Sequence, residues 1–412
     1  MSEISSQRSI SLGLTLSLGA LAAMGPLATD LNLPGLPEMA QSLHTSDALA
    51  AATVSVCFAG FALGQLMVGG LTDRFGRRRP AVVSMGVFTL TSALCALAPS
   101  IGWLLVFRFC QGVAGAGVQV AIRSAIRDYA KGSAAARLYS QLSMVSMTAP
   151  ILAPILGGTV LRFTSWRGLF WALTVICALL FVLALVRIEE TLPPSHRRIG
   201  GGHVRTLLAV ARHEGFGQHL VLSVCQGVIL FTYITIGALF LRHEYGVNAQ
   251  TYSYLFAING AGMVLGQAFN ARLVTHWGSL RILTGSIIGY ATGCTVLAIA
   301  VLTHAPLPLI SAAMFVTLTT LAASTPNNLA LAMVPFGAAA GTATSLLGAT
   351  QQLAGAIVPS LAAVIGTSGR VMVLTMLCAG LVGVVQLFTV IRPRARAGAV
   401  REFEHRPASV RS

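Results

Sequence analysis

Twelve apolar stretches follow one another along the chain, and they decide its solvent before any motif is considered. They cover residues 10–38, 47–70, 80–98, 103–127, 136–160, 166–186, 216–241, 249–271, 281–303, 307–332, 338–364 and 370–391, numbered here as spans 1 to 12. About 20 predominantly apolar residues in a helix cross the roughly 30 Å hydrocarbon core of a bilayer. Lipid offers no partner to a free backbone N–H or C=O, so each stretch is expected to be a helix. The expected fold class is all-α integral membrane, with twelve transmembrane helices.

Composition agrees with that reading and excludes others. Of 412 residues, 55% are hydrophobic and 9% are charged, against roughly 25% charged in soluble domains. There is too little polar surface to cover a soluble globule. The net charge of +15 could suggest nucleic acid. The basic residues instead lie between spans, where the positive-inside rule places them. The N-terminus "MSEISSQRSISLG" lacks a strongly basic region and a small-residue cleavage site, so span 1 is expected to be retained.

Lys and Arg also set the orientation. One side collects Arg8, Arg74, Arg77, Arg78, Arg79, Arg127, Lys131, Arg137, Arg187, Arg197, Arg198, Arg205, Arg212, Arg272, Arg281 and the Arg-rich tail from Arg392. The other side holds only Arg162, Arg167, Arg242 and Arg370. Both termini and the 187–215 segment are therefore expected in the cytoplasm. That segment is polar and rich in Pro and Gly. It divides the chain into a first half of six helices (1–186), a central loop (187–215), a second half of six helices (216–391) and a tail (392–412). A weak repeat supports two pseudo-symmetric halves. "GGLTDRFGRRR" (69–79) follows span 2, and "ARLVTHWGSLR" (271–281) follows span 8. Gly76 aligns with Gly278 and Arg74 with His276, while Thr275 replaces Asp73. Parallel transporter halves leave this kind of trace.

Seven cysteines all fall in apolar segments without a CxxC pair, and nine histidines lack metal-ligand spacing. The cysteines read as small buried hydrophobes, and neither a metal nor a cofactor is expected.

Of twelve Asp and Glu residues, only Asp30 lies well inside a span. A carboxylate at the bilayer centre costs about 2.5–3.5 kcal/mol on the lenient scale, and an intramembrane ionisable residue is by default a functional candidate. Two readings are open: a proton carrier, or half of a structural ion pair with an arginine. In span 4, Arg108, Gln111, Gln119 and Arg123 fall on one stripe when placed at about 100° per residue. Lipid cannot face such a stripe. Glycines 112, 115 and 117 beside it would allow another helix to approach closely. Pro150, Pro154, Gly157 and Gly158 make span 5 a candidate kinked, close-packing hinge. The second half carries polar residues but no acid well inside a span: Tyr233, Asn259, Asn270, Asn327, Asn328, Gln351 and Gln352. They serve either helix-to-helix hydrogen bonds or a cavity wall. The cavity candidates are Asn32, Gln111, Gln119, Tyr233, Asn259, Asn327 and Gln351.

These motifs carry a resemblance. "PLATDLNLPGLPEMA", "GGLTDRFGRRR", "RFCQGVAGAGVQVAIRSAIRDYAKG" (108–132) and "APILAPILGG" (149–158) resemble motifs of the major facilitator superfamily. Together with the sequences of spans 8, 10 and 11, they resemble its Bcr/CflA branch of bacterial drug:proton antiporters. The resemblance departs at Ala153, where the span-5 motif has Gly. It implies a monomeric multi-pass protein of the bacterial inner membrane. Such a protein exports drug-like molecules by alternating access, with protons and a small-molecule substrate as its partners. It gives Asp30 and Arg108 roles in proton coupling. It makes Gly69, Asp73, Arg74, Gly76, Arg77, Arg78, Arg123 and Asp128 a cytoplasmic gate, and Pro150, Pro154, Gly157 and Gly158 the antiporter-motif hinge. One buried acid against Arg108 and Arg123 favours neutral or weakly charged cargo, such as the chloramphenicol and bicyclomycin class. A metabolite exporter of the same fold is the alternative; a non-transporting sensor is more remote. No G-x-x-x-x-G-K-[ST], H-E-x-x-H or G-x-S-x-G motif points to ATP-driven transport or to an enzyme.

Overall fold

The computed structural model describes residues 17–21, 23–129, 148–149, 151–188, 190–191, 203–213, 215–336 and 340–391. Expectations that fall elsewhere lie outside the described residues, among them the N-terminal stretch, Lys131, Arg137, Arg197, Arg198 and the tail. Pro150 and the side chains of Asp73, Arg123 and Asp128 lie outside them too.

Among the described residues every regular element is helical. Span 2 is Asp47–Phe75, span 3 Arg78–Ala96, span 4 Ile101–Tyr129 and span 6 Trp166–Arg187. The described part of span 5 is Ile151–Val160. Span 7 is Phe216–Tyr245, span 10 Leu307–Met333, span 11 Ala340–Ile365 and span 12 Gly369–Gln386, which ends in a π-helical turn at Leu387–Ile391. Spans 8 and 9 run together as Ala249–Leu302, 54 residues in all. At 1.5 Å per residue that is about 80 Å of helix, too long for one crossing. The chain turns at Gly278, whose φ of 73° and ψ of 155° interrupt the helix.

Two expectations need correcting. Span 1 was expected as one helix over 10–38. It is broken: Met24–Asp30 is helical, Leu33–Gly35 forms a 3-10 turn, and Leu36–Ser42 continues four residues past the expected end. Pro34 and Pro37 have no N–H to donate, so the regular ladder cannot run through them. The break falls directly after Asp30. The central segment, expected to be a polar loop, contains the helix His203–Ala211. Its Val210 packs with Phe216, Ala332, Ala343 and Leu347. Leu207 and Val210, three apart, supply an apolar side to a stretch that looked polar by composition.

Packing relies on small residues, as expected where lipid removes the hydrophobic drive between helices. A side chain at Gly112 would run into the carbonyl of Cys57, and one at Gly60 into that of Phe109, so spans 2 and 4 touch backbone to backbone. Outward, spans 3, 6 and 9 present Val83, Leu90, Val175, Leu179, Val186 and Ile299, all exposed, as a lipid-facing surface requires.

The two kinds of glycine give a test. Gly112→Val is expected to destabilise the bundle by about 1–3 kcal/mol through overpacking. Gly285→Ala, with open space around it, is expected to be neutral or to stabilise by up to about 1 kcal/mol through helix propensity. Thermal unfolding of the purified variants in detergent compares them.

Candidate functional site

The break in span 1 delivers Asp30, 4% exposed, to the wall of a cavity of about 410 Å³. Gly25 and Thr29 flank it on span 1. Phe58, Phe61 and Gln65 come from span 2 and Gln119 from span 4. Across the cavity stand Ser223, Gln226, Phe231 and Tyr233 of span 7, Phe256 and Asn259 of span 8, Asn328 of span 10, and Gln351 and Gln352 of span 11. The cavity thus lies between spans 1–6 and spans 7–12. Its wall is mainly apolar and aromatic, with a few placed polar groups, as in small-molecule sites generally. Phe58 and Phe231 meet across it with ring centroids 4.1 Å apart. Tyr233 and Phe256 stack at 5.3 Å.

The Asp30 carboxylate accepts one hydrogen bond, from Thr29 Oγ1 at 2.9 Å. Among the described residues no ion pair joins it to an arginine. Arg108, 1% exposed, is engaged elsewhere. Its Nη1 donates to Ala28 O at 3.0 Å and to Gln111 Oε1 at 2.6 Å, and its Nε donates to Thr53 O at 3.3 Å. The guanidinium lies 5.7 Å from the Phe170 ring centroid, and Nη2 is buried without a partner. Gln111 in turn donates to Ser92 Oγ at 2.7 Å.

Among the seven cavity candidates, Gln119, Tyr233, Asn259 and Gln351 line the cavity, while Asn32, Gln111 and Asn327 do not. Asn32 turns back to donate to Ala28 O at 2.8 Å. Gln111 is taken up by Arg108 and Ser92. Asn327 donates to Asn270 Oδ1 at 2.6 Å, tying span 8 to span 10. In each case a protein partner lies within reach, and a buried polar group left without one is costly. Ser223, Gln226, Gln65, Phe58, Phe231 and Phe256 lacked a place among the expected residues. Gln226 carries the same signal as the other amides, a polar side chain within an apolar span. The aromatics carry no signal that separates cavity from core.

The loop after span 2 shows what its glycine is for. Gly76 has φ +87° and Gly278, its counterpart after span 8, has φ +73°, a region that L side chains rarely adopt. Beyond Gly76, Arg77 N donates to Glu190 Oε1 at 2.8 Å, and Arg78 Nη2 donates to Leu185 O at 3.0 Å. The loop therefore docks on the end of span 6. Arg74 lies over Phe75, 5.2 Å from its ring centroid. Span 5 brings the halves together: Pro154 is buried, Gly157 lies against the Leu31 carbonyl, and Gly158 against Ser253 of span 8. At the same end of the bundle, His243 sits 3.5 Å from Asp47, and Gly369 N donates to Glu244 Oε1 at 2.6 Å. Ala51, Leu239 and Ala363 pack together beside these contacts.

A family model described as Major Facilitator Superfamily matches residues 18–359, and matches again over 219–412. An uncharacterized MFS-type transporter, YdgK of Bacillus subtilis, is 32% identical over 93% of this chain and 96% of its own. The bicyclomycin resistance protein homolog of Haemophilus influenzae is 30% identical over 84% of this chain and 88% of its own. In fold, a bacterial homolog of the human lysosomal transporter Spinster, solved in an inward-facing and unoccupied conformation, superposes with TM-score 0.65 at 16% identity. That superposition covers 95% of this chain and 96% of the other.

The two kinds of amide should separate in stability. Asn327→Leu cuts the tie between spans 8 and 10 and is expected to cost about 1 kcal/mol. Gln351→Leu faces open cavity and is expected to stay within about 0.5 kcal/mol of native. Fluorimetric melting of both variants in one detergent checks this.

Proposed function

The chain belongs to the major facilitator superfamily, in its Bcr/CflA drug-antiporter branch, and from that premise we propose that it exports drug-like molecules in exchange for protons. The observation that carries this reading is the Asp30 carboxylate: buried, on the cavity wall, and bonded to a neutral threonine rather than to an arginine. A permanent ion pair would hold the acid ionised throughout a cycle. A carboxyl with neutral company can exchange a proton as its surroundings change from one conformation to the next. Asp30 takes its proton with the cavity open to the outside and gives it up inward, while cargo leaves.

Arg108 acts on Asp30 from a distance. Its guanidinium is anchored to the carbonyl of Ala28, two residues before the acid, and so holds the turn that carries Asp30 without sealing the acid in a pair. Residues 1–186 and 216–391 rock as two halves around the cavity. Pro150, Pro154, Gly157 and Gly158 form the hinge face of span 5. Gly69, Asp73, Arg74, Gly76, Arg77, Arg78, Arg123 and Asp128 form the cytoplasmic gate, to which Glu190 is added by its bond to Arg77. Both termini lie in the cytoplasm, and the working unit is a monomer in the bacterial inner membrane.

The cargo follows from the wall. Gln226 Nε2 is spent on Ser324 Oγ and Asn259 Nδ2 on the Tyr233 hydroxyl, both at 2.9 Å. Their carbonyl oxygens remain for a ligand. With the aromatic rings around them, they suit neutral or weakly charged amphiphiles that carry hydroxyl or N–H donors, such as phenicols.

Reconstituted vesicles test the reading. With an imposed pH gradient, native protein is expected to move chloramphenicol uphill. Asp30→Asn is expected to lose uphill movement by about tenfold or more while still exchanging labelled for unlabelled drug. Uphill transport by Asp30→Asn would refute the carrier role. Across a drug panel, neutral and weakly charged compounds are expected to be preferred, and a strong preference for dications would remove the proposed cargo class.

A further inference from the structure

Span 7 opens with a buried histidine that the proposed cycle does not use. His219 is 7% exposed and lies three residues into the helix. Its Nδ1 is 2.8 Å from Asn328 Oδ1. An amide oxygen only accepts, so Nδ1 carries the proton and donates. The Asn328 amide is fully oriented by this arrangement. Its Nδ2 donates to His219 O at 3.2 Å and to Ser223 Oγ at 3.0 Å. Asn328 and Ser223 both line the cavity, so the ring sits directly behind the cavity wall.

The other ring nitrogen has company suited to two charge states. Gln218 Nε2 is 3.4 Å from His219 Nε2 and donates to it while the ring is neutral. Gln218 Oε1 is buried with no hydrogen-bond partner. Rotating that amide by half a turn brings the orphaned oxygen towards Nε2, where it can accept a proton borne there. The imidazolium would then have an acceptor at each nitrogen, Asn328 Oδ1 and Gln218 Oε1. A purely structural histidine has no need of this second arrangement, and a buried acceptor left unpaired costs about 1–3 kcal/mol.

We propose that His219 is the inner proton station of the transport cycle, receiving the proton that Asp30 gives up and passing it to the cytoplasm. This rests on the transport reading and orientation above. The step balances without another reactant. The Asp30 carboxyl loses a proton to the cavity, His219 Nε2 gains one, and the imidazolium then loses it to cytoplasmic water. Asp30 lies on the wall formed by spans 1–6. His219 lies behind the facing wall, near the cytoplasmic end of span 7. Among the described side chains no competing charge stands close on the elements that face the ring; His203 and Arg205 of the helix His203–Ala211, which packs beside the start of span 7, and Glu214, which precedes it, lie outside them. Spans 10 and 11 carry no charged or histidine side chain. Arg212 and His213, which precede span 7, are exposed. Asp47, His243, Glu244 and Arg370 belong to the opposite end of the bundle. Span 2 brings Arg74, and the segment after span 8 brings Arg272 and His276, all exposed.

The test uses full-length protein in lipid vesicles, with histidine nitrogens labelled for NMR and His219→Gln to identify the ring. Glutamine can still donate to Asn328. The His219 signal is expected to change from the neutral Nδ1–H form to imidazolium within about pH 5–8, in native protein and in Asp30→Asn. With chloramphenicol as probe, His219→Gln is expected to slow gradient-driven export by about tenfold while leaving drug-for-drug exchange at the native rate. A ring that stays neutral to pH 5 would overturn the inference, and so would driven export and exchange falling together or both staying native. Uphill export by Asp30→Asn would remove the carrier reading and, with it, Asp30 as the source of the proton that His219 receives; a His219→Gln defect in driven export alone would then still mark His219 as a proton station. If chloramphenicol is not carried at all, the ring titration decides the role of His219 by itself.

Discussion

The buried guanidinium of Arg108 is the joint that ties together five of the first six spans. From span 4 it reaches the backbone of span 1 at Ala28 and of span 2 at Thr53, engages span 3 through Gln111 and Ser92, and covers a ring of span 6 at Phe170. A cation in lipid-surrounded protein has to be satisfied by what surrounds it. Here two backbone carbonyls and the Gln111 amide oxygen do that work, so the arginine is engaged without consuming Asp30, the one buried acid among the described side chains. That leaves Asp30 available. It also fixes the last helical turn before the break in span 1, the turn that aims the acid at the cavity.

The break in span 1 and the glycines around it form one mechanical unit. Pro34 and Pro37 stop the helix; Gly157 of span 5 then lies against the carbonyl of Leu31, and its neighbour Gly158 meets span 8. The same short stretch of span 5 therefore touches the broken helix that carries the acid and the opposite half of the molecule. Interfaces of this kind hold discrete packed arrangements rather than sliding continuously. A change at Asp30 and a change between halves share a physical link through Leu31 and Gly157.

Much of the site was legible one residue at a time. Asp30 stood out because one carboxylate among apolar neighbours is costly, and Gly76 and Gly278 stood out as the shared glycines of a repeat. What could not be read was partnership. Gln111 and Gln119 lie on the same stripe of one helix, yet the first is spent on Arg108 and the second faces the cavity. Asn327 and Asn328 are adjacent, and a turn of about 100° sends one to Asn270 and the other to His219, Ser223 and the cavity. His219 looked like one of nine scattered histidines because its partners come from residues 109 positions away.

By itself the sequence determined the solvent, the number of crossings, the position of the glycine turn in each half and the presence of one acid within them. These follow from local quantities: apolar length, the absence of N–H in proline, and the charge of a side chain. Only the tertiary structure decided which polar residues meet the cavity and which meet each other, that Arg108 bypasses Asp30, and that a histidine waits behind the far wall. Those outcomes depend on how helices distant in sequence are rotated and spaced. In a bundle surrounded by lipid, each polar side chain takes the nearest partner that this arrangement provides.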